Sequence, residues 1–264
     1  DVIATGKWEP LDPRDSDAPP ITSDVTTEDH ILQAKCLAIQ KSVTVAVDKG
    51  APGPTPDDIL EYTLTFQLSD YHTIGKIVIT DWLVDGQEFI VDDPAPLLTI
   101  QDQFGSYPNV PIFPIVNAAV DATCPSEDFP RGATNLEFDV SGALAAAANS
   151  PRHHEGILTG GLATDSPSGT PALGQLIFRA LITDKFAYPQ QPGDPYVDKH
   201  DPIKNCAEMN AVVFQNEPGD GMPTEIIGDA RDSSASQVTI VTNILEKTVY
   251  AVKRGTEDVC GLSG

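Results

Sequence analysis

Lys41 lies on the apolar face of a predicted strand, where a charged amine is costly to bury. In the run at 39–47 the lysine alternates in step with Ile39, Val43, Val45 and Val47. Because successive side chains of a strand point to opposite faces, Lys41 points with these residues toward the core. A buried charge without a partner costs several kcal/mol, so the amine must be paired, be neutralised or react.

Carboxylates in one Pro/Gly-rich loop have a spacing that suits a calcium ion. Asp194, Asp198 and Asp201 fall within eight positions of each other. Calcium takes oxygen ligands of this kind, although the loop lacks the twelve-residue pattern with a terminal Glu. We predict that no cofactor is required and that calcium is the cation such a loop would hold.

His153, His154 and Glu155 invite a metal-site interpretation on residue type alone. Neighbouring side chains of a strand point to opposite faces, and no third ligand is placed by the sequence. We therefore predict an exposed loop. The sequence also contains no G-x-S-x-G, P-loop or G-x-G-x-x-G motif, which disfavours the common enzyme classes that depend on them.

The sequence around these residues predicts short strands separated by turns. Alternating or apolar runs occur at 39–47, 60–66, 76–83, 175–183, 203–214 and 238–252, with weaker strands at 135–140 and 158–163. The 23 prolines and 20 glycines fall between such runs, as in an all-β protein. One short helix is predicted at 143–148.

The charge balance restricts the partners. There are 39 Asp and Glu against 16 Lys and Arg, a formal net charge of −23. This disfavours nucleic acid and anionic membrane surfaces, which select the opposite sign, and favours solubility and divalent cations. No apolar run is long enough to span a membrane. Since the chain begins at Asp1 without a signal peptide, we expect a mature or excised piece of an extracellular protein.

Four cysteines are spread widely along the chain: Cys36, Cys124, Cys206 and Cys260. No C-x-x-C motif is present, which disfavours a zinc or redox site. Two disulfides with three possible pairings, or free buried thiols, are both open. Cys36 and Cys206 fall on strand-like segments and are candidate neighbours, and Cys260 is a candidate for pairing with another subunit.

A pattern like that around Lys41 returns near the C-terminus. Glu246-Lys247-Thr248-Val249 aligns with the run at 40–43, and Lys247 lies 206 residues after Lys41. This spacing indicates one full unit followed by the opening strand of a next one. Such a strand presents unpaired backbone groups, so we predict that it continues into further repeats or pairs with a neighbouring molecule. The assembly residues are Val238, Ile240, Ile244, Leu245, Lys247 and Val249.

Three segments together resemble a bacterial surface-repeat family. They are the lysine strand at 39–42, the run at 57–65 with its Tyr62-Thr63 pair, and the run at 77–86 with Thr80-Asp81 and Gly86. This conserved repeat domain of unknown function is akin to isopeptide-forming fimbrial and adhesin domains. Asp57-Asp58 departs from the usual Gly-Asp, and Pro202 stands where a small residue is expected. The resemblance implies an immunoglobulin-like sandwich used as a building block of large exported proteins.

In the related isopeptide domains, an inward Lys, a distant Asn or Asp and a buried acid form an intramolecular amide. The corresponding residues here are Lys41, Asp81 and Asn205, the last two in register with apolar neighbours. Burial lowers the pKa of a lysine and raises that of an aspartate, so a neutral amine meets a protonated acid. Three alternatives stay open: the amide bond, an ordinary buried Lys41–Asp81 ion pair, and an edge lysine that reaches water.

We therefore predict an all-β, immunoglobulin-like sandwich at 36–236, expanded by a long insertion at about 87–135. An irregular, acidic, Pro-rich extension occupies 1–35, and 237–264 opens the next repeat or is donated to a neighbouring subunit. The expected function is a structural subunit or repeat of an extracellular prokaryotic filament, stalk or adhesin that associates with itself head to tail. It is no enzyme beyond a single-turnover crosslink. The alternative is an adhesin module that recognises a glycan or host protein through Phe104, Tyr107 and Phe113.

Overall fold

The computed structural model of the chain describes residues 36–50, 52–92, 94–120, 132–165, 168–188, 195–216 and 222–241, and the backbone of four two-residue strands outside these ranges. The long strands, in chain order, are β1 (Leu37–Val47), β2 (Ile59–Leu68), β3 (Thr73–Leu83), β4 (Gln87–Ile90), β5 (Leu97–Asp102), β6 (Gly105–Pro111) and β7 (Ile115–Val120). The short strands β8 (Thr123–Cys124) and β9 (Glu127–Asp128) and the longer β10 (Ala133–Asp139) follow. Then come α1 (Val140–Ala147), α2 (Pro151–His154), β11 (Leu158–Thr159), β12 (Leu173–Ile182), β13 (Pro202–Phe214), β14 (Ile226–Thr239), β15 (Lys253–Arg254) and β16 (Glu257–Asp258).

Two large antiparallel sheets form the sandwich, and β8 with β9 and β15 with β16 form two separate two-stranded pairs. The first has the order β1-β2-β12-β5-β6, with β4 also paired to β12. The second has the order β14-β13-β3-β10-β7, with β11 also paired to β3. The predicted all-β sandwich with an immunoglobulin-like, two-sheet architecture is confirmed. Within the described residues, no helix is long and apolar enough to cross a membrane.

Period-two alternation explains why the core lies between the sheets. Along β2 the buried side chains are Leu60, Tyr62, Leu64, Phe66 and Leu68, and the residues between them are half-exposed. Strand β12 has the same alternation, and its Gly174 lies directly opposite Phe66. A Cβ at residue 174 would come within 1.9 Å of the Phe66 ring. Glycine at this position therefore lets the aromatic ring pack against the backbone of the neighbouring strand.

The outer strands of the two sheets meet along one side of the sandwich. Strand β1 pairs only with β2 in its own sheet, so its other edge has unpaired backbone amides. Side chains of β14 supply the acceptors there. The Ile39 amide donates to Asp232 Oδ2 at 2.8 Å, and the Lys41 amide donates to Ser234 Oγ at 3.0 Å. The backbone of Lys41 is thereby fixed from both sides.

The segment at 87–135 contributes strands to both sheets. Strands β4, β5 and β6 extend the first sheet, and β7 and β10 extend the second. The predicted helix at 143–148 is present as α1, which begins three residues earlier and is capped by the Asp139 carboxylate. The strand predicted at 158–163 is shorter and ends at Thr159.

Strand β14 shares only residues 238–239 with the strand predicted at 238–252, and residues 240–241 are not in a strand. It begins at Ile226 and ends at Thr239, so it crosses the predicted segment boundary at 236–237. Much of it is polar or small, because it is the outermost strand of its sheet and covers little core. Hydrophobic alternation therefore does not reveal this strand.

Candidate functional site

Lys41 is buried at the centre of the sandwich. It projects from β1 in the first sheet, and 2% of its surface is exposed. Its Nζ atom forms an ion pair with Asp81 Oδ2, and both side chains are fully inaccessible to solvent. The inward orientation predicted from the alternation of β1 is therefore correct, and the alternative of an edge lysine that reaches water is wrong.

Asp81 and Asn205 approach the lysine from the opposite sheet. Asp81 is on β3 and Asn205 is on the adjacent antiparallel strand β13. In this pairing Ala207 lies opposite Asp81 and Asn205 lies opposite Leu83, so the two polar residues are diagonal neighbours on one face. Neither residue has any exposed surface. The structure thus brings together the three residues that the sequence singled out, from three strands and two sheets.

Aromatic rings enclose the amine. Lys41 Nζ lies 4.7 Å from the centroid of the Tyr62 ring and 5.0 Å from that of Phe178. These two rings are stacked at 5.3 Å, and Phe138 packs against Phe178 at 5.5 Å. The rings exclude water from the site, which strengthens each electrostatic interaction inside it and raises the cost of a charge.

The site favours neutral forms of both ionisable partners. Desolvation lowers the pKa of Lys41, and the Asp81 carboxylate opposes that shift only in part. Desolvation also raises the pKa of Asp81, against the opposing effects of Lys41 and Asn205. Transfer of one proton from the ammonium to the carboxylate removes both buried charges. The product of that transfer is a free amine, which is a nucleophile, beside a carboxylic acid, which is a proton donor.

Asn205 has an unusual environment for a buried amide. Its Nδ2 and Oδ1 atoms have no hydrogen-bond partner of ordinary geometry, and the same holds for Asp81 Oδ1. Burial raises the pKa of both the Asp81 carboxyl and the Tyr62 hydroxyl, and the nearby Asn205 carboxamide opposes a small part of each rise. An unsatisfied buried polar group costs about 1–3 kcal/mol, and native proteins contain few of them. A simple Lys41–Asp81 ion pair leaves this cost without compensation.

A chain of hydrogen bonds that sequence reasoning missed ends beside Asn205. The Tyr62 hydroxyl donates to Gln87 Oε1, and Gln87 Nε2 donates to the Lys204 carbonyl oxygen at 3.1 Å. Burial and the charge of Asp81 raise the pKa of Tyr62 far above its usual value, so the hydroxyl stays protonated. The signals available in the sequence were the inward register of Tyr62 on β2 and the turn at Gly86 that starts β4. Gly86 has a φ of 92°, which favours glycine and sets the position of Gln87.

The proposed calcium ligands are only partly described. Asp194 lies outside the described residues. Asp201 Oδ2 accepts a hydrogen bond from the Asp198 amide at 2.8 Å, which closes a tight turn between them. In the part of the chain that the structure describes, no group of three His, Cys, Asp or Glu side chains is arranged to hold a metal ion. The calcium loop stays a prediction.

The two cysteines that the structure describes differ in their bonding. Cys36 is a free, partly exposed thiol, and burial raises its pKa. Cys206 is disulfide-bonded. The suggested pairing of Cys36 with Cys206 is therefore wrong, because Cys36 is free whereas Cys206 is bonded to another cysteine. The side chains of Cys124 and Cys260 lie outside the described residues.

Two of the six predicted assembly residues belong to the sandwich itself. Val238 is on β14 opposite Ile203, and Ile240 is 1% exposed. The following amide, of Val241, donates to the Pro54 carbonyl oxygen at 3.0 Å. The remaining residues, Ile244, Leu245, Lys247 and Val249, lie outside the described residues. Val238, Ile240 and Val241 are therefore engaged within the sandwich, so the proposed pairing of the tail concerns residues after 241.

The exposed loop predicted at 153–155 is wrong for His153. This residue is fully buried on α2, with Nε2 at 2.9 Å from Asp102 Oδ1 and Nδ1 at 2.9 Å from the Tyr107 hydroxyl. Pro151 starts the short helix and the Ser150 side chain caps it. The histidine acts in packing, since its partners are one carboxylate and one phenol within the core. Tyr107, a candidate aromatic anchor, is occupied in the same way.

Comparisons with known proteins give remote similarities. No family model and no curated protein matches the chain. The fold is similar to the major pilin SpaD of Corynebacterium diphtheriae, with a TM-score of 0.36 and 9% identity over 77% of this chain and 34% of the pilin. For BcpA, the major pilin subunit of Bacillus cereus, the TM-score is 0.34 and the identity is 11%, over 78% of this chain and 40% of the pilin. For ACE19, the collagen-binding subdomain of the Enterococcus faecalis surface protein ACE, the TM-score is 0.31 and the identity is 12%, over 80% of this chain and 99% of the subdomain.

The chain spans less than half the length of each of the two pilins. Identities of 9–12% and TM-scores below 0.4 describe a general likeness to sandwich domains of surface proteins. The assignment of function therefore depends on the chemistry of the buried site.

Proposed function

We propose that this chain is a structural module of an extracellular prokaryotic filament, stalk or adhesin, stabilised by an amide bond between Lys41 and Asn205. The observation that carries the proposal is the buried, unsatisfied Asn205 carboxamide beside the Lys41–Asp81 pair. The amide bond removes the buried ammonium charge and the unsatisfied Nδ2 atom, and it leaves Oδ1 as an acceptor for the protonated Asp81. An ion pair alone removes neither.

The reaction begins with a proton transfer. The Lys41 ammonium gives one proton to Asp81, and the neutral Nζ atom then attacks Asn205 Cγ. The protonated Asp81 donates a hydrogen bond to Oδ1 and stabilises the negative charge that develops there. Formation of the Nζ–Cγ bond is followed by cleavage of the Cγ–Nδ2 bond. The proton that Nζ loses passes through Asp81 to Nδ2, which leaves as ammonia.

The crosslink alters stability without any turnover. It ties β1 to β13 through the core, at positions 164 residues apart. A crosslink over a loop of this length acts on the unfolded chain as a disulfide does, with a stabilisation on the order of 3–5 kcal/mol. Because the product remains part of the protein, each molecule reacts once. The chain is thus no enzyme in the usual sense.

Intact-mass measurement tests the bond. Loss of ammonia lowers the mass by about 17 Da, whereas an amide formed with Asp81 would lose water, about 18 Da. The chain without substitutions is expected to show the 17 Da deficit. Tandem mass spectrometry is expected to find the peptide that contains Lys41 covalently linked to the peptide that contains Asn205. The matched variants Lys41→Met and Asn205→Ala are expected to have their full calculated masses. A full mass for the unmodified chain would refute the crosslink.

The module is proposed to associate with copies of itself head to tail, through the tail that begins at residue 242. Its sequence at 244–251 alternates as β1 does, with Lys247 in the place of Lys41. A contact between different surfaces of successive copies that does not close produces a filament. This mode of assembly requires neither nucleic acid nor membrane insertion as a partner.

A second candidate function, an adhesin that binds a glycan or a protein, is favoured by exposed apolar side chains that are close in sequence. Phe113 is 59% exposed, Ile115 is 63% exposed and Val116 is 47% exposed, all within the segment predicted to bind a ligand. Exposed apolar groups that lie together often mark interaction sites. Specific capture on a glycan array that is lost in Phe113→Ser and retained in Tyr71→Ser, another exposed aromatic, would support this function. Equal capture by both variants would contradict it.

A further inference from the structure

The orientation of the Asn205 carboxamide decides whether the proposed crosslink can form. Attack by Lys41 requires Oδ1 to accept a hydrogen bond from the protonated Asp81, while Nδ2 lies on the other side as the leaving group. The reversed carboxamide would place an N–H donor against the donor of Asp81. Neither Asn205 atom has a hydrogen bond of ordinary geometry that would select one orientation. Selection must therefore come from a neighbouring group with a fixed hydrogen-bond direction.

Gln87 is such a group, because its own amide is oriented by the backbone. Its Nε2 atom donates to the Lys204 carbonyl oxygen at 3.1 Å and is 3.5 Å from the Val84 carbonyl oxygen. Carbonyl oxygens only accept hydrogen bonds, so Nε2 must face them and Oε1 must face the opposite way. Gln87 is largely buried, and water does not scramble this arrangement.

The orientation of the Gln87 amide fixes the direction of the Tyr62 hydrogen bond. Since Gln87 Oε1 is an acceptor, the fully buried Tyr62 hydroxyl must use its single proton as the donor to it. The remaining lone pairs of the Tyr62 oxygen can then only accept. Asn205 directly follows Lys204, whose carbonyl oxygen accepts the hydrogen bond from Gln87 Nε2, and its carboxamide is near enough to the Tyr62 oxygen to affect the pKa of that hydroxyl. Of the two ends of the carboxamide, only Nδ2 carries hydrogens to donate.

We propose that Tyr62, oriented by Gln87, is a positioning residue that turns Asn205 Nδ2 toward itself and leaves Oδ1 for Asp81. This inference rests on the proposed crosslink and deepens it. Tyr62 neither gains nor loses a proton in the reaction. It selects the one carboxamide orientation in which protonated Asp81 polarises the carbonyl group and Nδ2 leaves as ammonia on the side away from Asp81.

The primary test is the rate of amide formation in Tyr62→Phe, which keeps the ring and removes only the hydroxyl. Newly synthesised protein is sampled from a cell-free translation reaction, and the fraction that has lost 17 Da is followed by intact mass. We expect amide formation at least tenfold slower than in the unmodified chain. The control is Tyr107→Phe, which removes another buried hydroxyl, one bonded to His153 and to the Asn149 amide. Equal rates in the unmodified chain and Tyr62→Phe would overturn the inference.

A second background separates positioning from packing. In Asn205→Asp the two oxygens of the side chain are equivalent, so no orientation needs to be selected, and amide formation loses water. Adding Tyr62→Phe to Asn205→Asp is expected to leave the rate within about twofold. An equal slowing in both backgrounds would assign Tyr62 a merely structural role and overturn the inference.

A readout that needs no reaction completes the test. In Lys41→Met, which cannot crosslink, the Asn205 Nδ2 protons are expected to exchange with D₂O several-fold faster when Tyr62→Phe is added. Unchanged exchange would count against the inference. The proposed function fails separately, through a full mass for the unmodified chain. A 17 Da loss that is insensitive to Tyr62→Phe would leave the crosslink in place and remove only the role of Tyr62.

Discussion

Lys41 and Asp81 belong to different sheets of the sandwich, and their side chains are in direct contact in a site from which solvent is fully excluded. The lysine comes from the outermost strand of the first sheet, and the aspartate from the central strand of the second. One polar contact therefore spans the hydrophobic layer between the sheets. The adjacent Asn205 offers this pair a way to become a covalent link.

Removing the crosslink should lower stability by a defined amount. Asn205→Ala keeps the Lys41–Asp81 pair but has no carbonyl to attack. We expect its free energy of unfolding in urea to be lower by about 3–5 kcal/mol, because the unfolded chain regains the freedom that the crosslink had removed. Asn210→Ala, a substitution on the same strand with a half-buried side chain, is the control and is expected to change stability much less. A loss under 1 kcal/mol in Asn205→Ala would contradict the crosslink.

The pH dependence of stability should reveal the neutral pair. In Asn205→Ala, unfolding converts a neutral amine and a protonated acid into an ammonium and a carboxylate, with one proton bound in each state. The pair therefore does not make the free energy of unfolding depend on pH between about pH 5 and pH 9. In Asp81→Ala the buried Lys41 keeps a lowered pKa, so the unfolded state binds more protons. Stability should then rise with pH by up to about 1.4 kcal/mol per unit until the unfolded lysine titrates near pH 10.4.

Urea unfolding of both variants at several pH values measures this difference. Other titrating groups contribute to both chains and cancel in the comparison. The stability of Asp81→Ala should approach that of Asn205→Ala as the pH rises from 7 to 10. A constant difference across that range would show that Lys41 stays charged in the folded protein.

Deletion of residues 242–264 should abolish association and leave the sandwich intact. Ile240 and the Val241–Pro54 hydrogen bond are retained in this truncation, so its melting temperature and its 17 Da deficit should match those of the full chain. Multi-angle light scattering is expected to show a monomer. An assembly size that does not change on deletion would refute association through the tail.

Cys36 and Cys206 should differ in reactivity. Burial raises the pKa of the Cys36 thiol, and its surface is only partly accessible. We expect iodoacetamide to alkylate Cys36 in the folded protein more slowly than in urea, and peptide mapping to show Cys206 alkylated only after reduction. Alkylation of Cys206 without a reductant would contradict its disulfide.

The sequence predicted the burial of the three polar residues Lys41, Asp81 and Asn205 better than it predicted their surroundings. Alternation alone turns Lys41, Asp81 and Asn205 inward, because period two leaves each side chain one choice of face. The role of the Tyr62 hydroxyl was not predictable, since it depends on Gln87, which reaches the site only through the pairing of β4 with β12. Register between strands distant in sequence is not encoded in any local pattern.

The polar edge strand β14 and the buried hydrogen bonds of His153 were not predicted, for the same reason. Strand β14 has few apolar side chains because it covers the edge of the core, so periodicity gave no signal for most of its length. His153 appeared exposed because its partners, Asp102 and Tyr107, lie about fifty residues earlier in the chain. Burial of a polar residue becomes visible only when its partners are placed in space.

The contact between β1 and β14 fixes how a string of such modules would carry tension. Ile39 meets Asp232 and Lys41 meets Ser234, so both numbers increase together and the two strands run in the same direction. The polypeptide therefore enters the sandwich at one pole, at Leu37, and leaves it near the other, at Thr239. With 11 residues in β1, these poles are about 35 Å apart. Pulling on both ends would shear β1 against β14 lengthwise, and a bond from Lys41 on β1 to Asn205 on β13, the strand paired with β14, would resist that shear.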